Sequence, residues 1–143
     1  MNEQELFETI KHYLVPDLEM SSNQFSKWDA TTEKFRYFIE FKSRATHYDD
    51  LLLEKKKYTA LVAKATATGY VPVYINSTPE GIFIFRLDLI TPRWEERDMP
   101  VSTQFGNRQK IKKTVAFLKC SEASTSFYLP KPGDTKLTNI EYV

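Results

Sequence analysis

The segment Phe35–Lys42 constrains the fold most, because its side chains alternate between two faces. A β-strand turns successive side chains to opposite sides, so every second residue shares a face. The two sets are Phe35, Tyr37, Ile39 and Phe41 on one face, and Arg36, Phe38, Glu40 and Lys42 on the other. The pattern predicts a strand that pairs with a preceding strand or hairpin arm near Trp28.

Helical patterns lie on both sides of this strand. Apolar residues recur at helical spacing over Leu6–Leu14, which predicts a first amphipathic helix. The stretch Asp49–Thr68 contains neither Pro nor Gly and is rich in Leu, Lys, Glu and Ala. It predicts a long second helix, with Asp49 or Asp50 as the N-cap and Gly69 as the stop signal.

β-rich runs follow the second helix. Val71–Asn76 and Gly81–Leu87 are joined by a turn-like segment and predict a hairpin. A short apolar run at Lys113–Lys119 predicts another strand, and the tail from Pro130 predicts a loop with a short edge strand at Leu137–Val143. The order of elements predicts an α/β fold with a mixed central β-sheet flanked by helices.

The length of 143 residues fits one domain over residues 1–143. We expect its core at about residues 5–90 and a C-terminal strand and loop extension at 91–143.

Composition excludes several classes of site. Two His and one Cys are too few for a structural zinc site, and the four Gly are too scattered for a phosphate-binding or dinucleotide loop. The lone Cys120 cannot form an internal disulfide, and no apolar run is long enough to span a membrane. We therefore expect a cytoplasmic protein without a membrane partner. With 20 Lys+Arg against 19 Asp+Glu, any nucleic acid must be bound by a local basic patch.

Carboxylate and lysine side chains are concentrated around the predicted strand. Glu40 and Lys42 lie two residues apart, so they leave the same face about 6.8 Å apart along the backbone. Asp29 stands just upstream, beside a turn-like segment. If Asp29 opens the arm that pairs with this strand, the two carboxylates converge, which is the arrangement that Mg²⁺ requires. The alternatives are a surface ion pair for Glu40 and Lys42, and a turn role for Asp29.

The following stretch adds a third acidic residue. When residues 51–65 are placed on a helix, Glu54 and Tyr58 fall on the same face as the apolar positions Leu51 and Leu61. Glu54 is therefore predicted to point inward, whereas the neighbouring Lys55 and Lys56 fit a solvated face. A core position is the alternative for Tyr58.

These motifs resemble the PD-(D/E)xK nuclease superfamily, and small phage or bacterial nucleases most of all. The resemblance covers roughly Leu6–Leu87 and rests on the runs YFIEFKSR and YDDLLLEKKKY, with Trp28-Asp29 at the first motif. It implies a restriction-endonuclease-like core in the order α-β-β-β-α-β. Trp28 stands where the family has proline, and Glu54 where exonuclease-type relatives have Gln.

The resemblance also implies the roles of single residues. Asp29 and Glu40 would bind Mg²⁺, with Mn²⁺ as a substitute, and Lys42 would serve the attacking water. Glu54 and Tyr58 would support the site. The family often adds an acidic residue from the first helix, for which Glu8 is the first candidate in this sequence and Glu5 the second.

A basic run near the C-terminus is the predicted contact surface for nucleic acid: Arg108, Lys110, Lys112 and Lys113. The alternative is a solvated charged face. The predicted function is hydrolysis of DNA phosphodiester bonds by a metal-activated water, with RNA left open as a substrate and a homodimer as a further option. The rival hypothesis is a non-catalytic module that binds nucleic acid or serves assembly on the same fold.

Overall fold

The computed structural model describes residues 1–20, 29–100, 109–128 and 138–142. The α-helices within these ranges are α1 (Glu3–Tyr13) and α2 (Lys55–Thr68). The strands are β1 (Glu19–Met20), β2 (Asp29–Thr32), β3 (Tyr37–Ser43), β4 (Asp50–Glu54), β5 (Val71–Thr78), β6 (Gly81–Arg86), β7 (Glu95–Pro100), β8 (Lys110–Lys119), β9 (Thr125–Tyr128) and β10 (Thr138–Tyr142). Within these ranges, neither helix is long and apolar enough to cross a membrane.

The strands form two sheets. A seven-stranded sheet, here called the main sheet, has the order β1-β2-β3-β5-β6-β9-β10, and a three-stranded sheet, the small sheet, has the order β4-β8-β7. In the main sheet β3 and β5 run parallel, while the other neighbours are antiparallel. The predicted mixed central sheet is confirmed. Strand β4, which belongs to the small sheet, stands between β3 and α2. Without β4, the elements α1, β1, β2, β3, α2 and β5 have the α-β-β-β-α-β order expected of a restriction-endonuclease-like core.

The two helices cover opposite faces of the main sheet. On one face Ile39 and Phe41 of β3 are buried in the same cluster as Leu6 and Ile10 of α1. On the other face Phe38 is buried with residues of α2, among them Leu61 and Ala65. Residues 38 and 39 therefore point in opposite directions, which confirms the alternation predicted for this strand.

The predicted extent of the second helix is wrong at its beginning. Asp50–Glu54 form strand β4, and the helix begins at Lys55 with Glu54 as the residue before it, so neither Asp49 nor Asp50 is the N-cap. Leu51 and Leu53 are buried, while β4 pairs antiparallel with β8. The strand exists because β8, distant in sequence, supplies its backbone partners, and Leu alone suits either structure.

The end of α2 is as predicted. Gly69 has a φ of +73°, and its N–H donates to the carbonyl of Thr66 at 3.2 Å, while the N–H of Tyr70 donates to that of Ala65 at 2.8 Å. A glycine adopts this left-handed conformation without the penalty of a Cβ atom.

The remaining strand predictions hold where the structure describes them. β5 and β6 form the predicted hairpin, β8 contains the predicted Lys113–Lys119 run, and β10 lies within the predicted edge strand. The charged strand β7 carries no apolar alternation, because most of its side chains are exposed at the edge of the small sheet. The predicted tail loop and Trp28 lie largely or wholly outside the described residues, and the division into a core and an extension stays a prediction.

Candidate active site

Asp29 and Glu40 face each other across the antiparallel pair β2–β3. The register sets Asp29 directly opposite Glu40. Opposite residues of an antiparallel pair share a face of the sheet, with Cβ atoms about 5 Å apart. The convergence of these two carboxylates, expected from sequence only if Asp29 opened the partner strand, is therefore present.

Both carboxylates are largely removed from water. The Asp29 side chain is 9% exposed and that of Glu40 is 17% exposed. A buried carboxylate is costly unless cations or hydrogen bonds compensate it. Two lysines of α2 do so in part: Lys64 Nζ lies 2.8 Å from Asp29 Oδ2, and Lys57 Nζ lies 3.7 Å from Glu40 Oε1.

These lysines do not fully offset the cost of burying the charged Glu40 carboxylate. Burial raises the pKa of the Glu40 carboxyl above its ordinary value, and the nearby charge of Asp29 raises it further. Lys57 and Lys64 act in the opposite direction without reversing the shift. The acidic pair thus retains a demand for positive charge, which a divalent cation would meet.

Asp29 and Glu40 can supply part of the ligand set of a magnesium ion. Mg²⁺ in phosphate-processing sites is commonly held by one or two carboxylates, with water and substrate phosphate as further ligands. Asp29 and Glu40 supply two carboxylates. No group of three or more His, Cys, Asp or Glu residues suited to a metal occurs in the described parts of the chain. The pair therefore fits a hydrated hard cation and not a closed protein cage.

A cavity of about 820 Å³, here called the carboxylate cavity, opens above this pair. The small sheet and α2 form part of its wall. Its acidic lining residues are Glu3, Asp29, Glu40 and Glu54. Its basic lining residues are Lys42, Arg44, Lys56, Lys57, Lys64 and Lys113. Six basic against four acidic side chains give the cavity a positive excess, which favours a polyanion next to the buried acids.

Lys42 lies on the same face of β3 as Glu40 and lines the carboxylate cavity. No hydrogen bond or ion pair joins its ammonium group to another residue of the described chain. An ammonium group in this cavity can hold a water molecule or a phosphate oxygen.

Glu54 reaches the cavity by a different route from the predicted one. It ends β4 and is not part of a helical face. Its Oε1 accepts a hydrogen bond from Lys113 Nζ at 3.0 Å. The structure thus brings Glu54 to the predicted place, although the helical-wheel argument for it was wrong.

Tyr58 is placed differently. Its ring meets that of Trp94 edge to face, with centroids 5.1 Å apart. Tyr58 also packs against the buried cluster that contains Phe38 and Leu61. It is not among the described residues that line the carboxylate cavity. The packing agrees with the alternative of a core aromatic, and a supporting role for Tyr58 stays a prediction.

The acidic residue of α1 that lines the cavity is Glu3, not Glu8 or Glu5. Its carboxylate accepts a hydrogen bond from the N–H of Ser43 at 3.3 Å, and the hydroxyl of Ser43 donates to the carbonyl of Met1. The beginning of α1 therefore lies beside the end of β3, and only its first turn is near the site. Glu5 and Glu8 are exposed.

The predicted basic run is divided by the alternation of β8. Lys113 lines the carboxylate cavity, whereas Lys110 and Lys112 lie on the opposite face of the small sheet. Arg108 lies outside the described residues. Of the described members of this run, only Lys113 therefore joins the candidate site.

Five charged cavity residues were missed by the sequence analysis, which placed Lys56 on a solvated face: Glu3, Arg44, Lys56, Lys57 and Lys64. The last two are seven residues apart on α2, which is two helical turns, so their shared face was a signal in the sequence. Arg44 follows β3, and its Nη2 donates to the carbonyl of Leu52 at 2.6 Å. That contact joins the main sheet to the small sheet, and no local pattern predicts it.

Comparisons with known proteins give the following. No protein-family model matches the chain, and no curated protein matches it. Among solved structures, the chain is similar to Hjc, a Holliday junction resolvase from Archaeoglobus fulgidus. The two are 16% identical, the TM-score is 0.45, and the match covers 85% of this chain and 97% of that one.

Proposed function

We propose that this protein is a metal-dependent nuclease of the PD-(D/E)xK superfamily that hydrolyses phosphodiester bonds in DNA. The observation that carries the proposal is the β2–β3 register, which sets Asp29 opposite Glu40. Lys42 follows on the same face, and all three line one cavity. This is the acid, acid and lysine set at the position where the sequence resemblance requires it.

Each residue of this set has a chemical role in the proposed reaction. Asp29 and Glu40 hold Mg²⁺ or Mn²⁺, which supplies Lewis acidity to the phosphate and lowers the pKa of a bound water. Lys42 orients the attacking water and offsets charge that develops on the phosphate. Lys56 and Lys113 bind neighbouring phosphates of the nucleic-acid backbone. Glu54 holds the ammonium group of Lys113 in place.

The test is cleavage of supercoiled plasmid and of end-labelled single- and double-stranded DNA, with Mg²⁺, Mn²⁺ or EDTA. We expect metal-dependent cutting by the wild type and a loss of about 100-fold or more in Lys42→Ala and Glu40→Gln, because Lys42 offsets the developing charge and Glu40 holds the metal. Matched controls are Lys34→Ala and Glu33→Gln, two exposed residues at the turn of the same β2–β3 hairpin. Equal cutting by all four variants would refute the proposed roles.

One observation favours the rival function, a module that binds nucleic acid without cutting it. Lys64 already neutralises Asp29 at 2.8 Å, which is the arrangement expected where an acidic pair no longer binds a metal. Titration with Mn²⁺ discriminates between the two. Binding by the wild type but not by the Asp29→Asn/Glu40→Gln variant supports the nuclease. Binding by neither, together with a DNA shift on a gel and intact plasmid, supports the module.

A further inference from the structure

A second cavity of about 650 Å³ adjoins the carboxylate cavity. Arg44, Leu52 and Met99 line both, so the two cavities are direct neighbours. Leu52 and Glu54 lie two residues apart on β4, about 6.8 Å along the strand. A single nucleotide can therefore place its phosphate in the first cavity and its base in the second.

Two aromatic side chains line this second cavity, which we call the aromatic cavity. Tyr48 is 64% exposed and Phe117 is 39% exposed. Phe117 stands directly opposite Leu52 across the β4–β8 pair, so its ring lies beside the junction of the two cavities. Single exposed aromatics are common on protein surfaces, but two on one concave surface next to a candidate active site indicate a binding role.

The charges of the aromatic cavity differ from those of the carboxylate cavity. Its lining contains two arginines and two aspartates, Arg44, Arg97, Asp49 and Asp50, so it has no net charge. A phosphate gains little there, whereas a neutral planar group with donors and acceptors at its edge is suited to such a lining. Carboxylates accept hydrogen bonds from the exocyclic amino groups of bases.

One wall of the aromatic cavity is arranged for stacking. The guanidinium of Arg97 lies over the ring of Phe117, with its carbon 5.2 Å from the ring centroid. Arg97 Nη2 also lies 3.1 Å from Glu95 Oε1, an ion pair within strand β7. Aromatic rings and guanidinium planes are the surfaces on which proteins stack unpaired bases.

We propose that the aromatic cavity receives an unpaired nucleobase adjacent to the phosphate that the carboxylate cavity holds. The proposal rests on the proposed nuclease function and deepens it, because it assigns the substrate class. The preferred substrate is nucleic acid with a single-stranded or unpaired stretch at the site of cutting. A base within a continuous duplex stays stacked on its neighbours and does not enter.

The test measures binding separately from cutting. A single-stranded oligonucleotide that contains 2-aminopurine is titrated with the full chain in EDTA, and the fully paired duplex is titrated in parallel. We expect stacking to quench the fluorescence of the single strand. The Tyr48→Ala/Phe117→Ala variant should lose this quench and bind the single strand about tenfold more weakly, with duplex affinity unchanged. Phe117→Leu keeps apolar bulk without a π-face and should lose most of the quench.

The matched control is Phe35→Ala, an aromatic side chain 43% exposed that stacks on Tyr37 and lines neither cavity. Circular dichroism of each variant checks the fold. The inference is overturned if the double variant binds the single strand as the wild type does, or if it loses single strand and duplex equally. A change of oligomeric state in the double variant, measured by light scattering, would overturn it in favour of an interface with a second copy.

Comparison of the cleavage assay with the fluorescence quench separates a failure of the base site from a failure of the proposed nuclease activity. If the wild type cuts no substrate yet shows the quench, and the double variant loses it, the base site stands and the nuclease proposal fails. If the wild type cuts DNA but shows no quench, the base site is refuted and the nuclease stands.

Discussion

At the scale of single residues, Glu40 shows which of two opposed effects dominates in the site. Lys57 and Lys64 favour its ionised form, whereas burial and the charge of Asp29 disfavour it. The pKa of Glu40 is raised, so desolvation exceeds the attraction of the lysines. Of the two lysines, Lys57 lowers this pKa more, but it is largely exposed and its Nζ lies 3.7 Å away, so solvent screening keeps its effect below the cost of burial.

This balance predicts a change in the pH dependence of stability. A raised pKa means that the folded protein binds the Glu40 proton more tightly than the unfolded chain does. The contribution of Glu40 to the free energy of unfolding is therefore fully present below its ordinary pKa and is lost as the pH rises through the folded-state pKa.

We expect Glu40→Gln to melt at a higher temperature than the wild type at pH 7 without metal, with the difference shrinking on acidification. Thermal melts over a pH series measure this, and the exposed Glu33→Gln is the control. A lower melting temperature for Glu40→Gln at pH 7 would contradict it.

At the scale of secondary-structure elements, the sequence predicted what depends on local pattern. The strand predicted over Phe35–Lys42 is present as Tyr37–Ser43, with Phe35 and Arg36 in the preceding turn. This strand, the hairpin β5–β6 and the Gly69 stop each have a short-range signal in period, turn residues or backbone freedom. The strand Asp50–Glu54 was mistaken for helix because its partner β8 lies about sixty residues further along the chain. The local propensity of these residues carries no information about that contact, so pairing with β8 determines that the segment is a strand.

Two glycines at the ends of these elements predict different costs. A Cβ at Gly69 meets nothing within 4 Å, so Gly69→Ala costs only the strain of a φ of +73°, about 1 kcal/mol. A Cβ at Gly81 would lie 2.6 Å from the carbonyl oxygen of Phe127, on the neighbouring strand β9. Gly81→Ala must move β6 from β9, and we expect a loss of about 2 kcal/mol. Urea denaturation measures both losses, with Gly69→Asn expected to cost less than Gly69→Ala. An equal loss of unfolding free energy in Gly69→Ala and Gly81→Ala would contradict this prediction, because it would mean that β9 moves away from β6 at no cost.

At the scale of the whole molecule, the site is assembled from both sheets and from both α-helices. Asp29, Glu40 and Lys42 were predictable because one hairpin carries them and the alternation of β3 fixes their face. Glu3 was not, because it reaches the cavity from α1. Lys113 was predicted as a nucleic-acid contact, but its place beside these carboxylates depends on the small sheet. The positive excess of the cavity arises because long-range packing brings these charged side chains together. The nearly balanced charge of the whole sequence does not reveal it.

This assembly predicts how neighbouring lysines act on DNA binding. Lys112 and Lys113 are adjacent in sequence, yet only Lys113 lines the carboxylate cavity. Each phosphate contact that is lost lowers the slope of log affinity against log salt by about 0.9 in magnitude. We therefore expect Lys113→Ala to weaken duplex binding and flatten the slope by about that amount, and Lys112→Ala to change neither.

The ion pair of Lys113 with Glu54 requires one further variant. Lys113→Ala leaves the Glu54 carboxylate without its 3.0 Å partner, and that free negative charge also repels DNA. The double variant Glu54→Gln/Lys113→Ala removes both charges, so a slope that stays flattened in it reports the phosphate contact alone. Fluorescence anisotropy over a salt series measures all four proteins, including the wild type. If Lys112→Ala flattens the slope as much as Lys113→Ala does, DNA contacts the opposite face of the small sheet and the carboxylate cavity is not where the backbone binds.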